Sequence, residues 1–196
     1  MNTPVTVLFF GRPGAGKSSQ LKLLADHMRE RSELPFLPFS WSKVRDAFMS
    51  GNAHVQKRVQ ENHLAGKLQP AFLSVSLWGP ALLKELTGRE HLLIDGLPRQ
   101  HLEAQMFDSL LEFYERKPIY IFHLDVSDEI AHNRLAGRGE TQDMSQNAVT
   151  ERLAWYTTDT LPLLDFFRQS PRYRVIDIDA SRNPDDVLSE IVKRLS

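Results

Sequence analysis

The chain contains no cysteine among its 196 residues. Disulfides, thiolate metal sites and cysteine nucleophiles are therefore excluded. Its seven histidines are scattered, with neither H-x-H nor H-x-x-x-H spacing, the pattern of solvated or core histidines rather than metal ligands. No apolar run approaches the length of a membrane span. The first residues lack a basic start and a small-residue cleavage site, so they read as a strand and not a signal peptide. There is no dense Lys/Arg run, and 24 basic against 25 acidic residues leave a formal charge of -1, which gives no case for binding nucleic acid. Internal repeats and low-complexity segments are also missing. The expectation is a cytoplasmic protein without nucleic-acid or membrane partners. At 41% hydrophobic and 25% charged residues, one domain with a sizeable core is expected.

The stretch that organises the rest is Val5 to Gln20, VTVLFFGRPGAGKSSQ. Val5, Val7, Leu8, Phe9 and Phe10 form a short apolar run, the pattern of a strand buried on both faces. Gly11 to Ser18 fits the phosphate-binding pattern G-x-x-x-x-G-K-[ST], and Leu21, Leu23, Leu24 and Met28 then recur at near-helical spacing. Strand, glycine loop and helix are the context that motif requires. The residue types suit a polyphosphate. Gly11, Gly14 and Gly16 let the backbone curl into an anion-binding nest. The following helix aims its N-terminal N–H groups at the same oxygens. Lys17 supplies a point charge and Ser18 a hydroxyl for magnesium.

Further along, proline and glycine punctuate the pattern. A helix is expected to about Arg31, an extended piece at Leu34–Phe39, and a short helix starting at Ser40-Trp41-Ser42. His54 to Leu64 reads as another helix. Pro70 opens a third, with Leu73, Leu77, Leu82 and Leu83 on its buried side and a kink or break at Gly79-Pro80. His91–Asp95 and Ile119–Leu124 read as strands, each closed by an acid, Asp95 and Asp125. Helices are expected over 102–116 and 128–136, and a long one over 148–167 broken near Pro162. A last strand at 174–178 and a closing helix at 184–195 complete the alternation. Strands alternating with helices predict right-handed crossovers and a parallel sheet. Ligands then sit at the carboxyl ends of the strands, where Gly11–Ser18, Asp95–Arg99 and Asp125 all fall.

Asp95 is placed to hold magnesium or its waters, while Asp125 is open between that role and capping a helix in the 125–128 region. Arg45, Arg99, Arg134, Arg138 and Arg152 lie near predicted loops or helix ends on the same edge. Phosphoryl transfer needs two phosphates held in line and their charge neutralised. The planar, permanently charged guanidinium fork suits that task.

With GRPGAGKSSQ, LLIDGLPR and RLAGRGET followed by TERLAWYTTDTLPLLDFF, the chain resembles the adenylate kinases, and more broadly the nucleoside monophosphate kinases, over nearly its whole length. The resemblance implies an α/β fold of the phosphate-loop NTPase type: a three-layer sandwich around a five-stranded parallel sheet. A small helical monophosphate-binding lobe at 40–69 and a short lid at 137–147 would be inserted in a single domain spanning 1–196. It implies ATP binding by Gly11, Pro13, Gly14, Ala15, Gly16, Lys17, Ser18, Ser19 and Arg134. Acceptor binding would fall to Ser40, Arg45, Gly96, Arg99 and Glu103, and magnesium to Ser18 and Asp95. Lys17, Arg99, Arg134, Arg138 and Arg152 would act on the phosphates in transit. A monomer is the family default.

Four departures from the family pattern stand out. Ser40-Trp41-Ser42 replaces Thr-Gly-Asp, Ser18 stands where glycine is usual, and Glu103 stands where a base-reading glutamine is expected. The lid is very short, with one arginine gone. The implied activity is transfer of the γ-phosphate of ATP to AMP. A kinase for another acceptor, a pyrimidine monophosphate or a non-nucleotide, and an ATP-binding regulatory module with weak or lost transfer remain alternatives.

Overall fold

In the computed structural model, residues 3–137 and 146–195 are described. Five strands form one parallel sheet: β1 (Thr6–Phe10), β2 (Phe36–Ser40), β3 (His91–Asp95), β4 (Ile119–Asp125) and β5 (Tyr173–Asp179). Their order is β2-β3-β1-β4-β5. The apolar run of β1 is buried throughout, as a central strand requires. Pro38 is tolerated because β2 is an edge strand, where a missing N–H faces no partner.

The two-residue period of a strand sorts the core into two halves. Leu8 and Phe10, Leu92 and Ile94, and Ile119 and Ile121 point to one face. Covering them are α4 (Ala71–Glu85), α5 (His101–Phe113) and α8 (Leu163–Arg168). Val7, Phe9, Leu93, Phe122 and Leu124 point to the other, against α1 (Lys17–Arg29), α6 (Asp128–Gly137) and α9 (Pro184–Leu195). This is the three-layer α/β arrangement. Two helices, α2 (Trp41–Met49) and α3 (His54–Leu64), pack on each other beyond the edge strand. No helix of the described residues is long and apolar enough to cross a membrane.

Three expectations are corrected. Helix α4 runs on through Gly79 and Pro80 without a break. Its buried face is Leu73, Ser74, Trp78 and Leu82, and packing of Trp78 against Phe107 of α5 outweighs the propensity of two residues. Leu83 is exposed, not buried. The long helix after the lid region is α7 (Gln146–Trp155), followed by a π-helical turn at Tyr156–Thr160 and a turn at Leu161-Pro162 before α8. The helical run is thus interrupted at Leu161-Pro162, near Pro162 as expected, after Leu161 N–H donates to Tyr156 O (2.8 Å). The cap of α6 is Ser127, whose Oγ accepts from Ile130 N–H, so neither Asp125 nor Asp128 caps it. The expected lid at 137–147 falls largely on residues 138–145, outside the described residues.

Candidate active site

The chain reverses direction across the sheet at β1, with β3 on one side and β4 on the other, and a crevice opens there beyond the carboxyl ends. A cleft of about 440 Å³ occupies it. Gly11, Pro13, Gly14, Lys17 and Ser18 form one wall; Arg45, His63, Lys67, Arg99 and Arg152 stand on the other.

The loop wall is built from local geometry. Gly14 adopts φ +83°, and a Cβ there would come within 2.5 Å of the Ala131 carbonyl on α6, so only glycine fits. The loop closes with Ala15 N–H donating to Arg12 O (3.1 Å), and α1 starts with Gln20 N–H donating to Gly16 O (2.9 Å). Lys17 Nζ reaches back to donate to Gly11 O (2.6 Å) and Arg12 O (3.0 Å). Its ammonium is thereby held over the loop. Ser18 Oγ donates to Asp95 Oδ2 (2.5 Å). A hydroxyl and a carboxylate at one point are hard oxygen donors, the set magnesium takes when phosphates and waters complete its shell. No group of three or more metal-ligating side chains occurs among the described residues.

The facing wall is cationic. Arg99 follows β3 in the Gly96–Arg99 turn, where its Nε–H donates to Gly96 O (2.8 Å) and its guanidinium lies 5.3 Å from the Trp155 ring. Burial, with Arg45 and Arg152 adding to it, lowers its pKa to about 10, so it is charged at neutral pH. Arg45 on α2 donates from Nε and Nη2 to Asp46 Oδ1 (2.9 and 2.6 Å). Arg152 Nη2 donates to His63 Nδ1 (3.3 Å). Burial first, and then Arg45 and Arg152, push the His63 pKa down to about 4, so it is neutral at pH 7.

Glu103 is fully buried at the floor. Its Oε2 accepts from Arg99 N–H (2.9 Å) and its Oε1 from Gln100 Nε2 (3.3 Å), with Ser74 also donating. Burial raises its pKa. Trp41 is buried in the core while forming part of the cleft wall.

Of the residues singled out from the sequence, Gly11, Pro13, Gly14, Lys17, Ser18, Arg45, Asp95, Gly96, Arg99, Glu103 and Arg152 line this cleft. Ala15, Gly16 and Ser19 lie in the loop and first turn behind it. Ser40 is not on the lining; its hydroxyl pairs with that of Ser42 (2.9 Å), which is. Arg134 is away from the lining and donates to Ser181 O (3.4 Å). Arg138 lies outside the described residues.

Sequence reading missed His63, Tyr156 and Thr160. The π turn aims the last two inward. Thr160 Oγ1 donates to Arg99 O (2.9 Å), and Tyr156 hydroxyl meets His123 Nε2 (2.9 Å), whose Nδ1 meets Asp177 (2.8 Å). Burial raises the Tyr156 pKa to about 12. A π turn has no sequence signature, so nothing in the spacing flagged these contacts.

Known proteins complete this picture. The family model described as adenylate kinase matches residues 9–172. The chain is similar to the adenylate kinase of Rhodopirellula baltica, 30% identical over 97% of this chain and 94% of that protein. It is 28% identical to the adenylate kinase of Corynebacterium urealyticum, covering 92% and 93% of the two chains. Adenylate kinase isoenzyme 1 of Caenorhabditis elegans is 30% identical over 96% of this chain and 87% of its own length. A phosphate loop facing an arginine cluster across one cleft, in a chain matched along most of its length, leads to one conclusion: this chain belongs to the adenylate kinase family.

Proposed function

We propose that the chain transfers the γ-phosphoryl group of ATP to a nucleoside monophosphate, with AMP as the acceptor. The observation that carries this reading is the pairing of a lysine-bearing phosphate loop with Arg45, Arg99 and Arg152 across a single cleft. Two phosphate-bearing substrates in one cleft need this double-sided arrangement; a nucleotide sensor needs only the loop.

ATP would lie on the loop, with backbone N–H groups and Lys17 on its outer phosphates. Ser18 and Asp95 would hold magnesium, which when bound supplies positive charge to the transferring phosphate. Arg45 and Arg99 would grip the acceptor phosphate in their forks, and Arg152 would face the group in transit. An oxygen of the acceptor phosphate attacks the γ-phosphorus in line, the bond from that phosphorus to the β–γ bridging oxygen breaks, and ADP leaves with the bonding pair. The acceptor phosphate is already anionic at neutral pH, so no general base is required. Residues 40–69 would form the acceptor lobe and 137–147 the lid.

Glu103 favours keeping a second acceptor class in view. Its oxygens are already engaged by Arg99, Gln100 and Ser74, so it offers an adenine edge no donor of the kind glutamine provides. A monophosphate with a donor-rich base edge fits that floor as well as AMP does.

The test is a coupled assay with ATP, magnesium and each nucleoside monophosphate in turn, with an ATP-only control. Diphosphate formed with AMP above all others supports the reading in full. Preference for another monophosphate moves the acceptor assignment. No transfer to any of them overturns the nucleoside monophosphate kinase and moves the reading to a non-nucleotide acceptor or a binding role.

A further inference from the structure

Helix α3 ends in a geometry that depends on Gly66. That residue has φ +74°, its N–H donates to His63 O (3.0 Å), and Lys67 N–H donates to Asn62 O (2.9 Å). These two bonds are the Schellman closure of a helix by a left-handed glycine. The closure is pressed against α7: a Cβ on Gly66 would collide with the Ala148 carbonyl, and Trp155 Nε1–H donates to Gly66 O (2.8 Å). His63, in the last turn of α3, is thereby carried to Arg152 on α7, although 89 residues separate them in the chain.

The surroundings of His63 are mostly cationic. Arg45 comes from α2, Arg152 from α7 and Arg99 from the turn after β3, and Lys67 lines the same cleft; among the described residues, Asp46 is the acid that acts on it. An arginine has only N–H donors, so the ring nitrogen facing Arg152 must be the acceptor. An imidazole nitrogen holds a guanidinium without cancelling its charge. A carboxylate in the same place would hold it as well, but would neutralise the charge a phosphate is meant to meet.

We propose that His63 is a positioning residue for phosphoryl transfer, an uncharged acceptor that aims Arg152 into the cleft while keeping its positive charge intact. The inference rests on the kinase reading above. His63 does not touch the reacting atoms; it acts through Arg152, and through the Gly66 closure that carries it there.

Three variants of the full chain separate this role from simple packing: His63→Asn, His63→Asp and His63→Leu. Asparagine places a neutral oxygen near the position of Nδ1, aspartate has the same shape with a charge, and leucine has no acceptor. We expect His63→Asn to keep kcat within about threefold and His63→Leu to lower it about tenfold, the scale of a misaimed catalytic group, with KM for ATP unchanged in both. His63→Asp is expected to be the slowest, since it neutralises Arg152. Circular dichroism identifies any variant that fails to fold, and the isosteric Asn and Asp pair then decides alone. Equal kcat for Asn and Asp, or a His63→Leu protein as fast as the unaltered one, overturns the proposal while leaving the kinase in place. No transfer by the unaltered protein overturns the kinase reading itself, and the positioning role with it. Independently of turnover, the 15N spectrum of the His63 ring is expected to show an unprotonated Nδ1 at neutral pH; a protonated Nδ1 contradicts the assignment.

Discussion

The two ends of the sheet each hold arginine, and they treat it in opposite ways. At the amino end, Arg116 is buried beside Glu90 and donates to Thr6 Oγ1 (3.0 Å) and to the carbonyls of Val5 (3.2 Å), Gly88 (3.1 Å) and Glu90 (2.7 Å). Glu90 in turn accepts from Thr87 and Gly88. Charge and hydrogen bonds are satisfied within the protein, and the result is a clasp on the starts of β1 and β3. At the carboxyl end, Arg45, Arg99 and Arg152 converge on one cleft with Lys17 opposite. Acids stand among them, Asp46 on Arg45 and Glu103 and Asp95 near Arg99, yet the guanidinium groups line an open cleft instead of being closed over by carbonyls. Under the proposed function, the phosphates of the two substrates would meet these groups. Arginine count alone distinguishes nothing; what surrounds each guanidinium separates a fold element from a binding site.

This contrast can be broken by substitution. The largest effect is expected at the loop. Lys17→Ala should lower turnover roughly 10³-fold, the scale for losing one preorganised charge on a developing anion, with the fold unchanged by circular dichroism. A Lys17→Ala protein with undiminished turnover would contradict the proposed phosphate site. At the opposite pole, Arg116→Ala leaves Glu90 buried without its cation and should destabilise by about 3–5 kcal/mol in urea unfolding. Turnover per folded molecule should hold.

A smaller effect is expected with pH. The unfolded chain binds a proton on His63 near 6.5, the folded chain only near 4. Between these values the unfolded state holds more protons, so stability from this group is full above pH 6.5 and is lost as pH falls toward 4. Burial lowers the pKa of His91 in the same sense. The difference between the unaltered protein and His63→Asn therefore isolates His63, and its unfolding curves should lose part of their dependence on pH across that window. The smallest effect concerns Glu103→Gln. It keeps an acceptor for Arg99 N–H and adds a donor at the floor, so the use of AMP relative to other monophosphates should rise several-fold in a competition assay. An unchanged preference would remove Glu103 from the acceptor pocket.

Much of this was legible from the sequence because it is local. The phosphate loop, the buried strands and the helices at 54–64 and 184–195 depend on spacing, glycine and proline, and they stand where expected. The loop face of the cleft was equally legible, because Gly11–Ser18 and Asp95–Arg99 are short segments following strands. What escaped depends on contacts between distant segments. Helix α4 passes through Gly79-Pro80 because Trp78 finds Phe107 on α5. The π turn at Tyr156–Thr160 has no local signature, yet it turns Thr160 to Arg99 O. His63 reads as one scattered histidine until the Gly66 closure brings it to Arg152. Arg134 looked equivalent to Arg152 in the sequence, but its helix directs it to Ser181 and away from the cleft lining.

The most direct test of the two-pole account is Arg99→Ala, followed by turnover and by urea unfolding on the same sample. Turnover is expected to fall by about 10²-fold or more, with a loss of stability smaller than that of Arg116→Ala, because Glu103 keeps its bonds from the residue 99 backbone N–H and from Gln100 when the guanidinium is gone. A protein that loses stability as Arg116→Ala does, while each folded molecule still turns over at the original rate, would contradict the account and make Arg99 a second structural clasp.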